Sequence, residues 1–337
     1  RLMSKETARL AVDFFMRQRG KITDIKFFGG EPLLNVPVIE DLCQYVNSLH
    51  EAGTLQRLPS WKLVTNGTVM NSCVAEVIRQ FGIRVTVSMD GPQDIHDQLR
   101  VYADGRGTYD DIIKNIRMLQ DATSGKQPSA IEVTYTALHE ERALSMLDVM
   151  NHLRKATGIN TITMGLVGAT PNQAFKARDA DCCARLVKDV FRLKAEGYDC
   201  ASIEIKALMS AITNREAYGT HICLAGLNRF CVSAAGDICP CHFFTDIPQF
   251  CLGSIYQDAL ETPQFRQMQG LLKSSSHRLS SSCGDCFANR LCTGCIGGNY
   301  LSSGDMFQKS SFTCEIVRNG IESLLLEMSA EAPFLEL

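Results

Sequence analysis

Over the first half of the chain, apolar residues recur with two periods in alternation. Between residues 4 and 17, Leu10, Ala11, Phe14 and Phe15 share one face of a helix that Ser4 can cap and Gly20 stop. A strand is predicted over 24–28, then a helix over 38–49 with Ile39, Leu42, Cys43 and Val46 on one side. A strand over 62–65 precedes a helix carrying Val74, Val77, Ile78 and Phe81. The strand over 84–89 runs into Asp90-Gly91-Pro92, and Thr108 and Asp111 have capping-box spacing ahead of Ile112, Ile113 and Ile116. A strand over 131–137, a helix reaching about residue 155 and a strand over 161–166 complete the series. Repeated βα units of this kind predict an α/β fold, a parallel sheet or barrel with helices outside. From residue 169 the pattern changes to two helices, over 179–195 and 202–216, and the serines of 274–282 read as a loop.

Composition narrows the class. A chain of 337 residues fits one large or two moderate domains, and 45% hydrophobic with 21% charged residues is ordinary for a globular protein. The net charge of −3 offers no field towards nucleic acid or an anionic membrane, and no apolar run reaches bilayer length. The opening RLMSKETARL has neither the apolar core nor the cleavage site of a signal peptide. Cysteine is the outlier. Of 15 cysteines, only Cys43 and Cys73 lie in the first 180 residues, whereas ten run from Cys223 to Cys314. A secreted disulfide scaffold would be short and cysteine-dense throughout. The uneven distribution favours a cytoplasmic protein with a metal-binding second half.

Candidate chemistry gathers where the strands end, which is where active sites of βα folds form. Gly29-Gly30-Glu31-Pro32 follows the first visible strand, Thr65-Asn66-Gly67 the second, and Ser88 and Asp90 the third. The glycines allow close backbone approach to a ligand, Pro32 fixes the exit of the turn, and Glu31 offers a carboxylate suited to an ammonium group.

FGGEP in this place resembles the radical S-adenosylmethionine (SAM) enzymes, in which the motif contacts the amino group of SAM. SMDGPQDIHDQLR, residues 88–100, resembles the stretch after a later barrel strand of the peptide- and protein-modifying members. The resemblance implies that Ser88 and Arg100 hold the ribose and carboxylate of SAM, with Asn66 of TNG beside them. It places the adenine contact in the apolar stretch 164–167, which includes Leu166. One departure is large: the family's C-x-x-x-C-x-x-C signature, which holds the SAM-cleaving cluster, is absent from these residues. The resemblance places that signature, the first barrel strand and a third cluster upstream of residue 1.

In the second half, Cys283-x-x-Cys286 is followed by Cys292-x-x-Cys295 and then Cys314, while Cys223 precedes Gly236 and Cys241. Thiolates at short spacing are soft ligands for zinc or iron–sulfur clusters, and their number exceeds what one tetrahedral zinc needs. The pattern resembles the SPASM domain of radical SAM peptide maturases, departing in the two residues between Cys292 and Cys295 where three are usual. The resemblance assigns Cys223, Cys241 and Cys295 to a first auxiliary [4Fe–4S] cluster, with Cys231 as candidate fourth ligand, and Cys283, Cys286, Cys292 and Cys314 to a second. His242, next to Cys241, stands where sulfatase-maturing members carry a catalytic aspartate. It could accept a proton, hydrogen-bond to a cluster or serve structurally.

The fold expected is a partial (β/α)6 barrel over 1–168, a helical linker over 169–222, a SPASM domain over 223–320 and a C-terminal helix or tail over 321–337. The function implied by the resemblance is a 5′-deoxyadenosyl radical enzyme that crosslinks a ribosomally made precursor peptide through thioether or carbon–carbon bonds. It would take electrons from a donor such as flavodoxin or ferredoxin. The alternatives are sulfatase maturation, a non-catalytic scaffold and a zinc-stabilised interaction protein.

Overall fold

The computed structural model describes residues 1–166, 173–196, 203–213, 223–257, 262–274, 281–292 and 295–331. In chain order the elements are α1 (Lys5–Arg19), β1 (Asp24–Phe27), α2 (Val36–Glu51), β2 (Ser60–Thr65), α3 (Ser72–Gln80), β3 (Arg84–Ser88), α4 (Gln93–Leu99), α5 (Tyr109–Ala122), β4 (Ala130–Tyr135), α6 (Ala137–Glu141), α7 (Met146–Thr157) and β5 (Ile162–Leu166). There follow α8 (Cys182–Ala195), α9 (Ile203–Thr213), the short strands β6 (Cys231–Val232), β7 (Asp237–Cys239) and β8 (Gly253–Ser254), then α10 (Pro263–Ser274), α11 (Ser281–Gly284), α12 (Ile296–Ser303) and α13 (Ser311–Glu331). The five longer strands take the sheet order β1-β2-β3-β4-β5. The chain divides into two compact units. One comprises residues 1–88, 111–129 and 224–273, and the other residues 89–110, 130–223 and 274–337.

In the first unit, β1 pairs in parallel with β2 and β2 with β3, so that Phe27 stands beside Leu63 and Thr65 beside Val87. Local chemistry sets α1. The Ser4 hydroxyl accepts the Thr7 N–H, and Gly20, left-handed at φ 68°, donates its N–H to the Met16 carbonyl. Its apolar face packs against the cysteine-rich segment: Phe14 is fully buried with Ile238, Leu252, Ile255 and Phe265, and Leu10, Ala11 and Phe15 flank that cluster. The predicted faces of α2 and α3 are likewise the buried ones.

The small antiparallel sheet β6-β7-β8 is not apparent from periodicity, because strands of two or three residues carry none. Its first turn depends on Gly236, at φ +91°. A Cβ there would lie 2.5 Å from Cε2 of Tyr256, so only glycine satisfies both the backbone angle and the space.

In the second unit, β4 pairs in parallel with β5. The single helix expected after β4 is two. Thr136 and His139 form a capping box for α6, and Ser145 and Asp148 form another for α7, with Ala143 left-handed at φ 52° in the break. Helix α13 lies along α8, where the Asn319 amide donates to Asp181 Oδ1 at 2.7 Å and Ser323 Oγ to the Ala184 carbonyl at 3.1 Å. The boundary expected at residue 320 falls inside this continuous helix. The boundaries at 168 and 222 lie outside the described residues, as do the ends of the helix expected over 202–216. In the expected serine-rich loop, Ser274 ends α10 and Ser281 and Ser282 begin α11, with 275–280 outside the described residues. Among the described residues no helix is long and apolar enough to cross a membrane.

Candidate functional site

The Gly29–Pro32 turn in the first unit is built around one carboxylate. Oε1 of Glu31 accepts the N–H of Leu33 at 2.9 Å and the hydroxyl of Thr65 at 2.8 Å, and Oε2 accepts the N–H of Asn66 at 2.7 Å. Glu31 therefore latches the exit of β1 to the exit of β2 and caps the short 3-10 turn that Pro32 begins. Gly29 and Gly30 are exposed, and a Cβ on either would meet no protein atom within 4 Å. Oδ1 of Asn66 accepts both the N–H and the hydroxyl of Thr68, at 2.9 and 2.7 Å. The Asn115 amide donates to the carbonyls of Gly67 and Thr68, at 2.9 and 3.2 Å. Ser88 is half-buried at the last position of β3.

In the second unit, Arg100 makes a bidentate pair with Asp90: Nε donates to Oδ2 at 2.6 Å and Nη2 to Oδ1 at 3.2 Å. The Asp90 side chain is 2% exposed and that of Arg100 28%. Asp90 Oδ1 also accepts the Thr134 N–H at 2.8 Å. Two fully buried histidines hold the Asp90 peptide: its N–H donates to Nδ1 of His96, and its carbonyl lies 2.6 Å from Nε2 of His139. Sequence reading placed Asp90 at a strand end but gave neither histidine a role. The spacing of Asp90, His96 and Arg100 within 88–100 was the available signal. Leu166 is half-buried at the end of β5, and Val167 lies outside the described residues.

The predicted cysteine ligands are divided. Cys231 and Cys241 lie in the first unit; Cys223, Cys283, Cys286, Cys292, Cys295 and Cys314 lie in the second. Cys231 stands opposite Cys239 in the β6-β7 ladder. Burial pushes the Cys239 thiol up to about 12 and raises that of Cys231, which has Thr245 Oγ1 at 3.8 Å. In the second unit, the Cys286 N–H donates to the Cys283 carbonyl at 3.2 Å, the Asn289 amide donates to the same carbonyl at 2.8 Å, and the Cys292 N–H donates to the Ala288 carbonyl at 2.7 Å. This compact turn carries three half-buried thiols. Burial raises the Cys292 thiol, opposed by Lys309, whose Nζ donates to Cys292 Sγ at 3.4 Å; the nearby Cys314 and Cys283 raise it further. Cys295 is exposed, and its Sγ accepts the Gly298 N–H at the start of α12. The donor type suits iron–sulfur clusters. Among the described residues no three His, Cys, Asp or Glu side chains close on a common metal position.

His242 begins a short 3-10 turn in the first unit, its ring 4.4 Å from those of both Phe28 and Phe243. Burial, reinforced by Lys26, holds its pKa below the ordinary histidine value.

Residues 1–153 match the Radical SAM superfamily, and residues 223–287 match SPASM, an iron–sulfur cluster-binding domain. The chain is 31% identical over 93 residues to a cysteine-type anaerobic sulfatase-maturating enzyme of Clostridium novyi, covering 28% of this chain and 24% of that protein. It is 26% identical over 110 residues to the radical SAM cyclopropyl synthase TigE of Paramaledivibacter caminithermalis, covering 33% and 22%. These matches span less than a quarter of the length of either relative. In fold, the chain is similar to native anSMEcpe with bound AdoMet, with a TM-score of 0.79, 17% identity, and coverage of 99% of this chain and 91% of that one. The same protein with AdoMet and a Kp18Cys peptide gives a TM-score of 0.75 at 18% identity, covering 98% and 91%.

Proposed function

Because the chain belongs to the radical SAM superfamily and carries a SPASM domain, we propose that it is a radical enzyme that forms thioether or carbon–carbon crosslinks in a precursor peptide. The carrying observation is the Gly29–Pro32 turn. Its one carboxylate is spent on fixing the turn, and its two glycines leave exposed backbone at a strand end. Exposed, rigid backbone of that kind suits the amino group of SAM. When bound, SAM reduced by an iron–sulfur cluster supplies a carbon radical that can take a hydrogen atom from a peptide.

The residues divide the work. In the first unit, the backbone of Gly29, Gly30 and Pro32, oriented by Glu31, would meet the amino group, and Ser88 the ribose, with Asn66 a further SAM-binding candidate. In the second, Arg100 would take the carboxylate, and Leu166 would offer apolar surface to the adenine. Cys283, Cys286, Cys292 and Cys314, all in the second unit, would hold one auxiliary cluster; Cys231 and Cys241 would contribute to the other from the first unit. A crosslink removes two hydrogens from the peptide: one as an atom, the other as a proton and an electron. His242 is the candidate proton acceptor, and the auxiliary clusters are suited to take the electron. A flavodoxin- or ferredoxin-type donor would supply the reductant. A neighbour in fold that carries both AdoMet and a peptide supports the substrate class. His242 in place of an aspartate weighs against sulfatase maturation.

The test is an anaerobic incubation of the reconstituted protein with SAM, a reductant and candidate precursor peptides, followed by mass spectrometry. The reading requires 5′-deoxyadenosine together with loss of two hydrogens from the peptide. Formylglycine in a sulfatase peptide would replace it with the maturase reading.

A further inference from the structure

Arg100 is an unusually constrained arginine. An exposed arginine side chain samples many rotamers, and ordering it costs free energy each time it engages a ligand. Here that ordering is already present. Asp90 takes Nε and Nη2 of the guanidinium, and Oδ1 of Asp90 is itself fixed by the Thr134 N–H. The backbone of Arg100 is held as well: its N–H donates to the His96 carbonyl at 2.8 Å, and its carbonyl accepts the Thr108 hydroxyl at 3.0 Å.

The two histidines complete the frame, and their tautomers follow from their partners. Nδ1 of His96 accepts the Asp90 N–H, so its proton sits on Nε2, 2.9 Å from Thr108 Oγ1. Nδ1 of His139 accepts the Thr136 N–H at 3.1 Å, so its Nε2–H donates to the Asp90 carbonyl. His96 thus reaches Arg100 through Thr108, while both histidines fix the Asp90 backbone. Asp90 engages Nε and Nη2 of the guanidinium, and the Arg100 side chain is 28% exposed. A buried carboxylate that binds one edge of an arginine fixes the direction of the remaining edge.

We propose that Asp90 is a positioning residue that orients Arg100 to receive a carboxylate-bearing ligand, with Thr108 and the two buried histidines as its frame. This rests on the reading above that Arg100 takes the carboxylate of SAM. Asp90 contributes without touching the ligand: it removes the rotamer search of Arg100 before binding.

The test is calorimetry of the full reconstituted protein with two probes: SAM, and 5′-methylthioadenosine, which keeps the adenosine but has no carboxylate. Asp90→Asn, Arg100→Ala and the double variant are compared. The expected result is that Asp90→Asn weakens SAM about tenfold or more, that the double variant is no weaker than Arg100→Ala, and that 5′-methylthioadenosine binds all forms alike. Thr108→Val, which keeps the shape and removes the hydroxyl, should weaken SAM in the same direction by a smaller factor, and it serves if Asp90→Asn does not fold. The proposal is overturned if Arg100→Ala weakens SAM while Asp90→Asn and Thr108→Val do not, if the losses of Asp90→Asn and Arg100→Ala add, or if both probes weaken equally. If Arg100→Ala itself leaves SAM binding unchanged, the carboxylate reading fails and this inference fails with it.

Discussion

A Cβ placed on Gly67 would lie 2.9 Å from Cγ1 of Val87 and 3.0 Å from Cγ2 of Ile112. Gly67 follows β2 directly, at φ +75°, and its carbonyl is held by Asn115. The backbone angle and the crowding both exclude a side chain. Gly67→Ala should therefore destabilise the protein by about 2–3 kcal/mol, summing the left-handed penalty and overpacking. Gly82→Ala is the control: φ is +61° there, but no atom lies within 4 Å of the new methyl, so the cost should be about 1 kcal/mol. Urea unfolding of the two variants checks this, and equal losses would contradict the packing argument.

His96 should hold its neutral form in the folded protein to lower pH than an ordinary histidine. Burial is the largest cause of its lowered pKa; Asp90 opposes the shift, Arg100 adds to it and Asp97 opposes it. The unfolded chain, with a histidine pKa near 6.5, binds a proton that the folded protein refuses. Between those two values the unfolded state holds more protons, so stability falls as pH drops below about 6.5 and is full above it. Nitrogen chemical shifts of the His96 ring should show a titration midpoint below that of an ordinary histidine, with the proton of the neutral form on Nε2. Ordinary titration centred near 6.5 would contradict the buried frame around Asp90.

How much of this was legible in the sequence follows from the range of the interactions. The Ser4 and Gly20 caps of α1 and the buried faces of α2 and α3 depend on neighbours a few residues away, and periodicity displays them. The break between α6 and α7 was also local: Ser145 and Asp148 have capping-box spacing, but the apolar pattern runs across them and masks the stop. The Glu31 latch to Thr65 and Asn66, and the His139 contact with Asp90, join residues 34 to 49 positions apart. No local pattern encodes such pairs, which is why Glu31 reads in sequence as a carboxylate awaiting a ligand and in the structure as one that ties two strand ends together.

Cys231 and Cys239 face each other across a two-strand ladder but differ in burial. Burial raises both thiols, that of Cys239 up to about 12; Cys239 is 3% exposed, whereas Cys231 is half-buried beside Thr245, whose hydroxyl opposes the rise. A thiol must lose its proton to bind iron, and deep apolar burial opposes that loss. Cys231→Ala should lose iron or alter a cluster signal, while Cys239→Ala should keep the full complement. Iron quantitation and electron paramagnetic resonance on anaerobically prepared variants decide it; the reverse order would move the ligand assignment to Cys239.

The most direct measurement is the metal content of this chain, reconstituted anaerobically with iron and sulfide, with Mössbauer spectroscopy to identify the species. The two auxiliary [4Fe–4S] clusters proposed for this chain predict a brown protein with about eight iron and eight sulfide ions per chain, all in cubane clusters. A colourless protein that binds one zinc and no stable iron would contradict the radical-enzyme reading at its base.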